Sequence, residues 1–197
     1  MDKIICVGKN YLKHAVELGD AVPAEPLFFL KPPSTIFNAA DRTQLDLVRG
    51  FTIHHEVELV LRLVHLDGQW RFSHYTFGLD LTLRELQNHL KKNGQPWEKA
   101  KVFKNSAVLG AWHDMSSMDE ILQTEFTLQV NGETRQQGRG MDMRWKPQEL
   151  LLEVQKWFPL NEGDLLFTGT PEGVGPLQPG DQVEVQGGRV HYNLTCI

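Results

Sequence analysis

Cysteine is scarce in this chain: Cys6 and Cys196 are the only two, near opposite ends, with no C-x-x-C or metal-ligand spacing. That excludes a disulfide framework and a zinc ribbon, and the expectation is two free thiols in a reducing compartment. Long apolar runs are missing as well. No stretch approaches the roughly eighteen residues of a membrane span, so no membrane partner is expected. Clustered basic charge is the third absence. Twenty Lys and Arg stand against 25 Asp and Glu, a net charge of −5, whereas a general nucleic-acid binder needs grouped cations to neutralise phosphates. The opening run from Met1 to Gly8 has an acid before a short apolar stretch and no cleavage pattern, so it reads as a first strand and not a signal peptide. Repeats, low-complexity tracts and linkers are absent too. The expectation is one cytoplasmic domain over residues 1–197.

What is present in abundance is turn punctuation between short strand-like runs, which gives a mainly β fold with a few helices (α+β). Strands are expected over 4–7, 27–30, 57–64, 108–111, 125–130, 165–168, 182–185 and 190–194. Asn131-Gly132 between Thr127-Leu128-Gln129-Val130 and Glu133-Thr134-Arg135-Gln136 is a type I′ hairpin signal. Helices are expected over 10–18, bracketed by Gly8 and Gly19, and over 82–92, with Thr82 and Glu85 as a capping pair and Asn93-Gly94 as the stop. A third over 147–158 opens on Pro147 and carries Leu150, Leu151, Val154, Trp157 and Phe158 as its apolar stripe.

Chemistry concentrates in four places. In His54-His55-Glu56-Val57-Glu58-Leu59 the two glutamates lie two apart, hence on one face of a strand, and Asp80 follows an apolar approach in Thr76-Phe77-Gly78-Leu79. An all-oxygen set of three carboxylates suits Mg²⁺, Mn²⁺ or Ca²⁺ better than zinc or copper. A lone E-x-E is more often the solvent face of an antiparallel strand, and a lone Asp80 could simply cap the next helix. His14 and Glu17 are three apart on a helix, so the carboxylate can orient the imidazole and keep it basic, although such a pair is usually a solvated face. A short helix between glycines is also a plausible lid. Lys31 and Lys101 sit in apolar surroundings, where each could hold a substrate carboxylate or an oxyanion, or merely snorkel. Last comes the glycine-rich turn Thr168-Gly169-Thr170-Pro171-Glu172-Gly173-Val174-Gly175. It lacks a Walker lysine, but its backbone N–H groups and a threonine hydroxyl could bind a carboxylate.

Taken in order, these motifs resemble the fumarylacetoacetate hydrolase family, in its short single-domain acylpyruvase and oxaloacetate decarboxylase branch. The likeness runs through Gly8-Lys9-Asn10-Tyr11 with His14 and Glu17, Phe29-Leu30-Lys31-Pro32, the Glu56 and Glu58 run, Leu79-Asp80-Leu81-Thr82-Leu83-Arg84, Gln95-Pro96-Trp97-Glu98-Lys99-Ala100-Lys101, Val130-Asn131-Gly132-Glu133 and the glycine-rich turn. The resemblance implies the mixed β-sandwich roll of that family's C-terminal domain, as a homodimer. It implies Glu56, Glu58 and Asp80 as ligands of Mg²⁺, with Mn²⁺ as substitute, and His14 and Glu17 as a catalytic dyad on a mobile lid over residues 8–19. Lys101 would be the catalytic charge beside the metal, and Lys9, Tyr11, Lys31, Arg84, Gln87, Gly169 and Thr170 the contacts to a small 2-oxo acid.

The implied reaction is hydrolysis of a carbon–carbon bond in an acylpyruvate or fumarylpyruvate, releasing pyruvate. Oxaloacetate decarboxylation or keto–enol tautomerisation, and isomerisation or decarboxylation of an aromatic-degradation 2-oxo dicarboxylate, are the alternatives in the same site. Outside enzymes, the alternative is a non-catalytic binder of metal and 2-oxo acid. Three departures bear on the far end of the substrate: Lys9 where an arginine is common, a short 59–79 segment, and Met141 and Asp142 in place of small hydroxyl residues.

Overall fold

The computed structural model describes residues 1–17, 19 and 23–197. Along the chain come β1 (Ile4–Gly8), α1 (Leu12–Glu17), β2 (Leu27–Lys31), β3 (Ile36–Asn38), β4 (Gln44–Leu45), β5 (Ile53–His55), β6 (Val57–Leu66), β7 (Gln69–Asp80), β8 (Thr82–Leu83) and α2 (Arg84–Lys92). There follow β9 (Ala107–Leu109), β10 (His113–Asp114), α3 (Met118–Gln123), β11 (Glu125–Val130), β12 (Glu133–Arg139), α4 (Pro147–Trp157), β13 (Leu165–Phe167), β14 (Gly175–Leu177), β15 (Gln182–Gly187) and β16 (Val190–Cys196). The large sheet has the order β2-β1-β13-β6-β7-β9-β3, with β10 on the edge of β7. A five-stranded sheet, β12-β11-β15-β16-β4, packs against it, and β14-β5-β8 form a small third one. The fold is the mostly β architecture expected, and both cysteines are free and buried. No described helix is long and apolar enough to cross a membrane.

The core lies between the sheets because β6, β7, β11 and β15 each put alternate apolar residues inward: Leu59 and Leu61, Phe77 and Leu79, Phe126 and Leu128, and Val183 and Val185 are all buried. The Phe77 and Phe126 rings meet across it with centroids 4.8 Å apart. The hairpin at Asn131-Gly132 forms as expected, both residues having positive φ (55° and 80°).

Four local readings need correction. The twelve-residue strand β7 was not expected beyond the run to Asp80. Its apolar positions switch parity, from Trp70 and Phe72 to Tyr75, Phe77 and Leu79, because Ser73 is bulged out where Arg62 pairs with His74 and Leu63 with Phe72. Thr82 does not cap a helix: it lies in β8, paired with His54, and α2 starts at Arg84 after Leu83, which makes no side-chain cap. In α4, Trp157 is 70% exposed, so the apolar stripe ends at Val154, while Phe158 turns back to meet Phe28 edge-on at 6.0 Å. The short helix α3, capped by Ser117, was not expected. The expected helix over 10–18 is seen over Leu12–Glu17, and residue 18 lies outside the described residues.

Candidate functional site

The pairing of β6 with β7 creates the site. Val57 faces Leu79 and Glu58 faces Gly78, and one step further the Asp80 N–H donates to the Glu56 carbonyl at 2.9 Å. Glu56 and Glu58 therefore share a face, and Asp80 enters it from the neighbouring strand. All three are buried, and an oxygen of each lies within 4.8 Å of the others. Asp80 ends a strand, so the helix-capping alternative is excluded.

Three cations surround this trio. The turn Glu98–Ala100 delivers Lys101, whose Nζ donates to Glu56 Oε2 (2.9 Å), Asp80 Oδ2 (2.6 Å) and Thr82 Oγ1 (2.6 Å), using all three protons. Arg84 donates to Glu56 Oε1 and to Gln87 Oε1. Lys31 stands behind Asp80, with Nζ 2.6 Å from Oδ1, and donates to the Ser106 and Leu81 carbonyls. Burial pushes the Glu56 carboxyl upward, but Lys101 and Arg84 override it and hold it far below the usual range. The same attraction from Asp80 and Glu56 holds the Lys101 ammonium above its ordinary value despite burial.

Glu58 differs. It accepts a 2.7 Å bond from the Gly169 N–H and forms no ion pair among the described residues. Burial, then the charges of Asp80 and Glu56, push its carboxyl well above the usual value. A buried carboxylate without a cation beside two others is a costly arrangement, which a divalent ion would relieve. The donor set, all oxygen and converging, fits a hard dication.

The trio opens into a cavity of about 40 Å³, room for about one water or ion. Lys9, His14, Arg84, Gln87, Lys101 and Thr170 line it with the three carboxylates. A roomier groove of about 780 Å³ runs past residues 46–52, but it brings together no set of ligating carboxylates, and chemistry outweighs volume here. His14 Nδ1 lies 3.0 Å from Glu17 Oε2, and the other Glu17 oxygen accepts the Gly173 N–H at 2.9 Å. That turn needs glycine: Gly173 has φ of +93°, and a Cβ there would lie 1.9 Å from the Arg135 carbonyl oxygen. The head of the α1 segment is tied down, since buried Asn10 donates to the Trp145 and Thr168 carbonyls and accepts the Trp145 N–H.

Three expected contacts lie off the cavity. Lys31 is fully buried with Nζ committed behind Asp80, neither snorkelling nor facing the opening. The Tyr11 hydroxyl donates to the Arg139 carbonyl, and Tyr11 lines a separate groove with Gln137, Asp142 and Pro171. Gly169 uses its N–H on Glu58, so the carboxylate this turn binds is one of the protein's own.

One residue that the sequence did not single out as functional joins these parts. Buried Gln136 on β12 accepts the Val57 N–H at 3.0 Å and meets His55 Nδ1 at 2.9 Å, while its NH₂ donates to Thr170 Oγ1 and the Pro171 carbonyl. It thereby clamps the backbone between the two glutamates to the turn that holds Glu58 and Glu17. Nothing local marks it, because its partners lie 34 to 81 residues away.

The model of the fumarylacetoacetate (FAA) hydrolase C-terminal family matches residues 3–192. Among curated relatives, oxaloacetate tautomerase YcgM of Escherichia coli (strain K12) is 43% identical over 194 residues, covering 94% of this chain and 88% of that protein. The mitochondrial oxaloacetate tautomerase of Arabidopsis thaliana is 37% identical, covering 92% and 84%. The crystal structure of fumarylpyruvate hydrolase from Pseudomonas aeruginosa in complex with Mn²⁺ and pyruvate superposes with a TM-score of 0.90 at 31% identity, covering 99% of this chain and 89% of that one. With its sequence matched almost from end to end and its sheets superposing on those of a solved relative, this chain belongs to the fumarylacetoacetate hydrolase family.

Proposed function

We propose that this protein is a divalent-metal-dependent enzyme that interconverts the keto and enol forms of a small 2-oxo dicarboxylate, oxaloacetate being the leading substrate. The observation that carries the reading is that His14, oriented by Glu17, lines the same small cavity as the carboxylate trio. The names of the bacterial and plant relatives support tautomerisation ahead of hydrolysis, the reverse of the order expected from sequence.

Mg²⁺, with Mn²⁺ as substitute, would be held by Glu56, Glu58 and Asp80, and when bound it supplies Lewis-acid polarisation of the substrate's 2-oxo group. His14 has one ring nitrogen on Glu17. The other takes a proton from C3; the C3–H electron pair becomes the C2=C3 bond as the C2=O π pair moves onto oxygen, and the imidazolium then gives that proton to the C2 oxygen. Glu17 stabilises the imidazolium between these steps. Lys101, held protonated by Glu56 and Asp80, keeps the two acids in place and lends positive potential where the enolate charge develops.

A cavity of about 40 Å³ is too small for a four-carbon diacid, so substrate entry requires the expected lid (residues 8–19) to open beyond its anchored head, Asn10 and Tyr11 staying fixed to the Trp145, Thr168 and Arg139 carbonyls. The working form is a homodimer of single catalytic domains.

A second reading, hydrolysis of an acylpyruvate, uses the same dyad to deprotonate a water that attacks the distal carbonyl. It is favoured by the fumarylpyruvate hydrolase whose structure holds Mn²⁺ and pyruvate. The test is enol-to-keto conversion of oxaloacetate, followed by ultraviolet absorbance, with Mg²⁺ or Mn²⁺ added or stripped, alongside pyruvate release from acetylpyruvate. We expect metal-dependent tautomerisation that falls about 10²-fold or more in His14→Ala, with Mn²⁺ affinity within threefold of wild type. Turnover of neither substrate with saturating metal, or equal turnover without His14, would overturn the proposal.

A further inference from the structure

The large sheet loses a strand where the three carboxylates begin. β13 pairs with β6 as far as Phe167 opposite Val60, and Thr168 adds a last backbone bond, its N–H to the Leu59 carbonyl at 3.1 Å. Gly169 then turns the chain away with φ of +99°, a left-handed backbone that suits glycine, and gives its N–H to the Glu58 carboxylate instead. Val57, between the two glutamates, is left with an N–H and a carbonyl on the side that β13 has vacated. It is fully buried, so both groups need partners.

Two side chains supply them. Thr170 Oγ1 donates to the Val57 carbonyl at 2.8 Å, and Gln136 Oε1 accepts the Val57 N–H at 3.0 Å. Gln136 Nε2 donates to Thr170 Oγ1 at 2.8 Å, which closes a ring of three hydrogen bonds. The second amide proton goes to the Pro171 carbonyl at 2.9 Å, and the second lone pair of Oε1 takes His55 Nδ1 at 2.9 Å. All four hydrogen-bonding positions of the amide are filled, and the reverse orientation would set its NH₂ against the Val57 N–H. The Gln136 amide thus stands in for the peptide unit of a longer β13.

That ring grips the middle of a turn whose two ends each hold a carboxylate. The Gly169 N–H meets Glu58 at 2.7 Å, and the Gly173 N–H meets Glu17 at 2.9 Å. From this we infer that Gln136 is a positioning residue that holds Glu58 toward the metal and Glu17 toward His14 together, acting through Thr170 and the turn. Gln136 does not line the cavity, so it acts without touching substrate or ion. The inference rests on the proposed roles of the trio and the dyad, and adds the group that keeps the two in register.

The test measures Mn²⁺ affinity by calorimetry, and oxaloacetate tautomerisation at saturating Mn²⁺, in Gln136→Met, Thr170→Val and the double variant. Gln136→Met keeps the length of the side chain and removes the amide. Thr170→Val removes the middle link of the ring and leaves Gln136 in place. Each is expected to bind Mn²⁺ about tenfold more weakly than wild type, and Gln136→Met to lower kcat about tenfold with KM within about threefold. Because both act through one ring, the double variant is expected to lose no more than about twice the larger single loss, well short of the product. Asp164→Asn removes the partner of Lys3 and no group lining the cavity, so its Mn²⁺ affinity is expected to match wild type.

Mn²⁺ affinity within twofold of wild type in Gln136→Met overturns the inference, as does the same result in Thr170→Val, which is read whether or not Gln136→Met folds. So does a loss in the double variant equal to the product of the single losses. An equal loss in Asp164→Asn overturns it too, by showing that any loosening of the fold weakens the site. If one of these is seen while wild type binds Mn²⁺ and turns over oxaloacetate, the proposed activity stands and the role of Gln136 falls; a wild type that binds no Mn²⁺ overturns the activity and this inference with it.

Discussion

Asp164 and Glu58 are both carboxylates with almost no exposure, yet their surroundings push them in opposite directions. Asp164 accepts bonds from the Asp2, Lys3 and Asn161 N–H groups and from Lys3 Nζ at 2.7 Å. Burial alone pushes its carboxyl up, but that saturated shell outweighs it and holds the group below its ordinary value. Glu58 has one backbone donor and two acidic neighbours, and is pushed up. The first is a clip that fastens the start of β1 to the turn before β13. The second is a site left unfinished by the protein's own cations, and the difference separates a carboxylate serving the fold from one available to a metal.

The largest expected effect of breaking this contrast is on activity. Glu58→Gln keeps the size of the side chain and an acceptor for the Gly169 N–H while removing the charge a dication needs. It is expected to lower metal-dependent turnover by about 10³-fold, through lost transition-state stabilisation of roughly 4 kcal/mol, as read from kcat/KM at a fixed Mn²⁺ concentration. Turnover within tenfold of wild type would remove Glu58 from the ligand set.

The next effect is on stability alone. Asp164→Asn leaves Lys3 with a neutral partner and exchanges acceptor capacity for an NH₂, at an expected cost of about 2–3 kcal/mol in denaturant unfolding, with turnover per folded molecule unchanged. The pH dependence follows from the sign. A carboxyl held below its unfolded value contributes fully above about pH 4 and loses that contribution as pH falls through its folded value. Wild type and Asp164→Asn should therefore converge in stability in acid, and a constant difference down to pH 2 would contradict the clip.

Much of the site was legible in the sequence because it obeys local periodicity. Glu56 and Glu58 share a strand face by their spacing, and His14 reaches Glu17 by helical geometry. What stayed hidden depends on distant pairing. The bulge at Ser73 breaks the alternation of β7. Thr82 and Glu85 look like a capping pair, but Ile53 and His54 recruit Thr82 and Leu83 into a strand and leave the Thr82 hydroxyl to accept from Lys101. Lys31 announces a buried charge without announcing its direction, which the Ser106 carbonyl and Asp80 set. Gln136 becomes a clamp only once β12 lies beside the glycine-rich turn.

The most direct test of the unfinished site is the melting temperature of wild type and Glu58→Gln with and without Mn²⁺. Binding at about one hundred times the dissociation constant is worth roughly 2.7 kcal/mol, so wild type should melt several degrees higher with Mn²⁺ than without. The metal-free variant should melt at or above metal-free wild type, since it loses a buried, unpaired charge, and should gain almost nothing from the ion. Equal Mn²⁺ shifts in the two proteins, or no shift in wild type, would contradict the assignment of these three carboxylates to a divalent cation.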